Sequence, residues 1–172
     1  MILSAEGTTV QEALTGLPSV ADASQGGLLD VALDPDFTTD PWIFWTYAEP
    51  GTGAELGLAG TAVARGRLIG SSLNDVEVIY RQKPKVTGGG HFGSRIAFRS
   101  DRTLYVTLGE RQKFTEADRL CLPVPLFHCF GCVLGVMAAL AHGSTLVPLE
   151  IFDPLHVLAA VQKAKCTALY GV

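Results

Sequence analysis

The sequence predicts an α+β chain, with an N-terminal antiparallel β region followed by a small α/β segment. Two observations predict it. Over residues 1–112, apolar and β-branched residues come in short runs separated by Gly, Asp and Pro turn signals, the pattern of strands. After about residue 115 the runs lengthen to helical size and alternate with short strands. All four cysteines (Cys121, Cys129, Cys132, Cys166) fall beyond that change. The predicted division is therefore 1–115 and 116–172.

In the first part, Leu29, Val31 and Leu33 alternate with Asp30, Ala32 and Asp34 before a Pro35-Asp36 turn. Trp42–Tyr47, WIFWTY, is rich in aromatic and β-branched residues and reads as a buried strand, with Trp42 and Trp45 in the core. Glu49–Gly60 holds four glycines and a proline and reads as a loop. Thr61–Leu68 and Val76–Arg81 are further strands, and Arg95–Leu108 is a hairpin turning at Ser100-Asp101-Arg102. Short strands at this spacing suit a sandwich, barrel or propeller.

In the second part, Phe127–Ala141 has the length and Ala/Leu/Val/Met content of a buried helix, stopped by His142-Gly143. Ser144–Leu149 reads as a strand. Asp153 is a good N-cap with Pro154 in the first helical position, and the helix runs to about Lys165 before a strand at Thr167–Tyr170. This order predicts a parallel sheet with crossover helices.

Composition narrows the function. Apolar residues make up 48% and charged residues 17%, which argues against disorder. A net charge of −4 with no basic run argues against a nucleic-acid partner. No Asp, Glu, Lys or Arg occurs from Leu120 to Leu149, yet prolines and histidines leave only Cys129–Ala141 cleanly apolar. That is short of the ~20 residues of a membrane span. The start, MILSAEGTTV, has neither the basic nor the apolar region of a secretory signal, and the compartment stays open.

The stretch TGGGHFGSR, Thr87–Arg95, carries the chemistry. Three glycines lead into His91, and an imidazole on such an approach is placed like a general base. The same spacing fits a histidine that caps a strand or satisfies a loop carbonyl. Gly88–Gly93 has the wrong spacing for a nucleotide loop and precedes a strand. Cys129-x-x-Cys132 beside His128 resembles half a zinc or redox site without a second pair, so buried cysteines are expected and no metal ligand is assigned. Asp30, Asp34 and Asp36 could share a face for a cation, but read as a solvated strand edge and a turn. Nothing supports a triad of Ser94, His91 and Asp101, since no GxSxG elbow is present and any small domain contains such a set.

From Gln25 to about Lys113 the chain resembles the soluble quinoprotein sugar dehydrogenases, the glucose, sorbosone and aldose dehydrogenases that use pyrroloquinoline quinone (PQQ). The carriers are QGGLLDVALDPDF at 25–37, GTAVARGRL at 60–68, VIYRQKPK at 78–85, HFGSRIAF at 91–98 and LYVTLGERQ at 104–112. The resemblance implies a partial β-propeller of one to two blades, with PQQ and calcium as cofactors and a small-molecule sugar as substrate. It implies that His91 is the base that removes the anomeric hydroxyl proton and that Gln25 contacts the sugar. It assigns no cofactor-binding residue. Gly90 stands where relatives carry an amide or carboxylate before the histidine.

From about Asp118 the chain resembles an internal piece of the adenylate-forming acyl-CoA synthetases, on RLCLPVPLFHCFGCVLGVMAALAHGSTLVP at 119–148 and FDPLHVLAAVQKAKCTALYGV at 152–172. His128 corresponds to a pocket-lining position there. The Ser/Thr/Gly-rich phosphate loop, the later ATP-binding segments and the catalytic lysine are absent from the sequence. The resemblances meet near Glu116–Arg119 and together imply a chimera of two fragments. The expectation is a partial sugar dehydrogenase with little or no turnover of its own. The alternatives are a partial acyl-CoA synthetase and a non-enzymatic fragment whose uncovered apolar surface self-associates.

Overall fold

A computed structural model of the chain describes residues 2–3, 9–11 and 14–170. The chain divides into two compact units, Met1–Arg111 and Gln112–Val172. Together they make a mixed α/β protein with antiparallel sheet and few helices.

In the first unit, β1 (Ile2–Leu3) and β2 (Thr9–Gln11) form a short antiparallel pair. Of the MILSAEGTTV stretch read for a leader, residues 1 and 4–8 lie outside the described residues. The main sheet is β3 (Leu28–Leu33), β4 (Trp42–Pro50), β5 (Ala59–Ile69) and β6 (Ser72–Arg81), antiparallel throughout and paired in chain order. Its core comes from period-two alternation: Ile43, Trp45 and Tyr47 project to one face and pack with Ala62, Ala64 and Leu73. The register sets Tyr47 opposite Ala62 and Trp45 opposite Ala64, so each bulky ring lies over a small neighbour.

Two expectations shift here. β4 and β5 extend into the predicted loop, which shortens to residues 51–58 and contains a 3-10 turn at Gly53–Glu55. Trp45 is core at 3% exposure, but Trp42 is only partly buried, at the strand's first position. Its ring lies 4.8 and 5.0 Å from the guanidinium carbons of Arg65 and Arg67, which keeps it at the surface. β7 (Ile96–Phe98) and β8 (Leu104–Val106) form the predicted hairpin. Its turn has Arg102 at φ 68° and Asp101 accepting from the Thr103 N–H at 2.9 Å.

The second unit has a parallel three-stranded sheet with β9 (Arg119–Leu122) between β10 (Thr145–Pro148) and β11 (Ala168–Leu169). Leu120, Cys121 and Leu122 are fully buried in its centre. β9 is absent from the sequence reading, because its short Leu-Cys-Leu run after Arg119 shows no alternation. Asp153 caps α2 (Pro154–Ala164) by accepting the His156 N–H at 2.9 Å, as its sequence position predicts.

The predicted buried helix is corrected in extent and in burial. It begins at Phe130, with a π-helical stretch (Phe130–Met137) running into α1 (Ala138–His142), and Gly143 closes it at φ 69°. Its buried residues are Gly131, Gly135 and Ala139, four apart, while Val133, Met137 and Leu140 are more than half exposed. Cys129 and Cys132 are exposed as well, against the expectation of buried thiols. The cause is steric. A Cβ on Gly135 would lie 2.6 Å from a Leu122 methyl, so β9 accepts the helix only on its small-residue face. Among the described residues no helix is long and apolar enough to cross a membrane.

Candidate functional site

The site is the segment 86–93, lying against residues 109–111 and the Gln25 turn, all within the first unit. Each glycine of its approach has a different physical job. Gly88 sits at φ 94°, a conformation side chains disfavour. Gly89 passes so close to Ser24 that a Cβ would stand 2.6 Å from the Ser24 Cβ. Gly90 contributes its carbonyl, which accepts from the Arg111 guanidinium. The left-handed residue at the turn is His91 itself, at φ 54°.

Three elements hold His91. The Gln25 side-chain carbonyl accepts the His91 backbone N–H at 2.8 Å, and the Gln25 N–H donates to the Gly89 carbonyl at 2.9 Å. The His91 carbonyl accepts the Arg111 N–H at 3.2 Å, and the Phe92 carbonyl accepts the Gly109 N–H at 2.8 Å. The imidazole Nδ1 meets the Glu110 carboxylate. Below them, the Thr61 hydroxyl donates to the Phe92 carbonyl at 3.0 Å and the Gln82 amide donates to the Gly109 carbonyl at 2.9 Å, tying both segments to β5 and to the residue following β6.

This arrangement can move a proton. In a neutral imidazole a carboxylate at Nδ1 favours the tautomer with the proton there, which puts the lone pair on Nε2. The ring stays 29% exposed, so an incoming hydroxyl can reach it. Gln25 is exposed and its side-chain oxygen is engaged by the loop, so its amide N–H groups are the donors it has to offer.

Glu110 and Arg111 are the residues that sequence reasoning missed. They lie in the LYVTLGERQ block, 19 or more residues from the histidine, and only the close approach of Gly109 brings them to it. A Cβ on Gly109 would stand 2.6 Å from the His91 and Phe92 carbonyl carbons, so a glycine there is the available signal. The Arg111 guanidinium is buried beneath the loop with its carbon 3.5 Å from the Phe92 ring centre. Burial pulls its pKa below the ordinary arginine value, against the opposing charge of Glu110.

The remaining candidates are used elsewhere. Asp30 accepts the Ile96 N–H at 2.7 Å, Asp34 accepts the Asp36 N–H at 2.8 Å and Asp36 pairs with Arg102, so the three carboxylates do not converge on a cation. The Ser94 hydroxyl is buried without a partner, and Asp101 caps its own turn. His128 accepts the Phe130 N–H at 3.1 Å through Nδ1. An apolar cleft of about 330 Å³ lies between Leu14, Leu17 and the β3 face, lined by none of His91, Gln25 and Glu110.

The residues present do not by themselves fit PQQ and calcium. Among the described residues no three His, Cys, Asp or Glu side chains are grouped to hold a metal ion. PQQ is a tricarboxylate and needs cations facing it. Of the two arginines flanking the loop, Arg111 is turned into the Gly88 and Gly90 carbonyls and Arg95 pairs with Asp30.

Residues 1–122 match the family model described as Glucose / Sorbosone dehydrogenase, and residues 98–172 match that of the AMP-binding enzymes. The chain is 42% identical over 109 residues to the aldose sugar dehydrogenase YliI of Escherichia coli strain K12, covering 62% of this chain and 29% of that protein. It is 56% identical over 66 residues to the acyl-CoA ligase SID4 of Ajellomyces capsulatus, covering 38% of this chain and 11% of that protein. The crystal structure of the apo-form soluble aldose sugar dehydrogenase from Escherichia coli superposes with a TM-score of 0.52 at 43% identity, over 59% of this chain and 29% of that one. The chain thus spans less than a third of the length of each of these relatives. With the first match covering more than half of its 172 residues, the chain belongs to the glucose/sorbosone dehydrogenase family and continues into a segment similar to AMP-binding acyl-CoA ligases.

Proposed function

We propose that the first unit is the base-bearing part of a quinoprotein sugar dehydrogenase site, in a partial β-propeller of one blade and the start of a second. The sheet β3–β6 supports the blade, and the β7–β8 hairpin supports the start of the next. His91 takes the proton of an aldose anomeric hydroxyl at Nε2 while Glu110 holds Nδ1. Gln25 offers its amide N–H groups to a sugar oxygen. The observation that carries the reading is the meeting of His91 with both Gln25 and Glu110 at one partly exposed turn.

Oxidation at the anomeric carbon also needs a hydride acceptor, and these residues form no complete cradle for PQQ or calcium. The proposal therefore assigns this chain the proton-accepting part of the site and no turnover alone. A site shared among several blades is not preorganised by one of them. The test is titration of PQQ with calcium into the folded chain, followed by aldose-dependent dye reduction. No binding and no reduction is the expected result. Binding with turnover that His91→Ala abolishes would show a complete site and overturn the partial one.

For the second unit we propose descent from an internal piece of an adenylate-forming acyl-CoA synthetase. The parallel order β10-β9-β11 with crossover helices supports this. The sequence carries no phosphate loop to hold ATP, so adenylation is not assigned. The outward-facing Phe127 and Leu140 are the apolar surface through which a non-enzymatic chain would self-associate.

A further inference from the structure

We infer that Arg111 is a positioning residue, whose guanidinium holds His91 in its left-handed turn by binding the carbonyls on either side of Gly89. The inference rests on reading His91 as the base. A side-chain-bearing residue at φ 54° persists only where its surroundings over-determine it. Gln25 supplies one restraint, on the His91 N–H. Arg111 supplies three more: one terminal nitrogen donates to the Gly90 carbonyl, the second to the Gly88 carbonyl at 2.7 Å, and its own backbone N–H to the His91 carbonyl at 3.2 Å.

The guanidinium suits two carbonyls two residues apart, because its planar fork presents parallel donors in a fixed geometry. A lysine ammonium is a point charge and cannot span both equally. Arg111 is only 4% exposed and its plane lies against Phe92, so water competes little for those donors. Glu110, the neighbouring carboxylate, engages the imidazole. Consecutive residues thus fix the two halves of the base, Glu110 its ring and Arg111 its backbone.

The test reads the turn directly, by amide hydrogen exchange in the full-length chain. The His91 amide, which donates to Gln25, is compared with the Val63 amide on the central strand β5 in wild type, Arg111→Lys and Arg111→Met. The expected result is about ten-fold faster exchange at His91 in Arg111→Met, an intermediate rate in Arg111→Lys and an unchanged Val63. Equal acceleration at both amides would make Arg111 an ordinary stability residue and overturn the inference, as would an unchanged His91. If Arg111→Met does not fold, Arg111→Lys decides by the same two amides. Exchange does not depend on turnover, so failure of the base reading would appear separately, as an active graft of this segment into the Escherichia coli aldose sugar dehydrogenase whose rate is indifferent to His91→Ala.

Discussion

The side-chain carbonyl of Gln25 accepts the backbone N–H of His91 at 2.8 Å, across 66 residues of sequence. The sugar contact and the base implied by resemblance are therefore joined before any sugar arrives, and half of the Gln25 amide serves the loop. Gln25→Ala leaves the His91 N–H without this acceptor. A loss of about 1 kcal/mol is expected, read as a lower urea midpoint with an unchanged slope.

Glu110 governs the ring. With the carboxylate on Nδ1, nitrogen-detected NMR of the neutral imidazole is expected to show the Nδ1–H tautomer at His91. Glu110→Ala is expected to move it toward the Nε2–H form, which would cover the lone pair needed to accept a proton. An Nε2–H tautomer in wild type would contradict the assignment.

Gly109 sets the distance between the two segments. In Gly109→Ala the new Cβ meets backbone carbons of His91 and Phe92 at 2.6 Å, and backbone cannot turn aside as a side chain can. A destabilisation of roughly 1–3 kcal/mol is expected, the range for overpacking, measured by thermal unfolding.

Two ionisable groups at the end of β4, buried Tyr47 and partly buried Glu49, set opposite pH limits. Burial pushes the Glu49 carboxyl up, but hydrogen bonds and charge from Lys85 and Arg81 outweigh it and hold the group below its ordinary 4.5. Its contribution is present above pH 4.5 and is lost as the pH falls through the lower folded value. Tyr47 is pushed up from 10.0 to about 12 by burial and then by Glu49. Between those values the unfolded chain binds fewer protons than the folded one, so stability falls as pH rises, by on the order of 2 kcal/mol. Unfolding against pH is expected to have a shallower acid slope in Glu49→Gln and a shallower alkaline slope in Tyr47→Phe.

Legibility followed local chemistry. WIFWTY, the Ser100-Asp101-Arg102 turn and the Asp153-Pro154 start were readable because each depends on neighbours in sequence. The helix after Phe127 gives no sign of its buried face in sequence because it is apolar all round. Its buried face was chosen by Gly131, Gly135 and Ala139 fitting against β9, a contact no periodicity reveals. At the site, the glycines announced His91, whereas Glu110 and Arg111 reach it only through the packing of Gly109 on its backbone.

The most direct test of the account is a graft. Residues 14–111 replace the matching segment of the Escherichia coli aldose sugar dehydrogenase, with which the chain shares 42% identity over 109 residues. Aldose oxidation by the graft is then compared with that of its His91→Ala variant. The account predicts an active graft that loses about 10²–10⁴-fold in rate without the imidazole, the range for a general base. An active graft whose rate is unchanged by His91→Ala would contradict it.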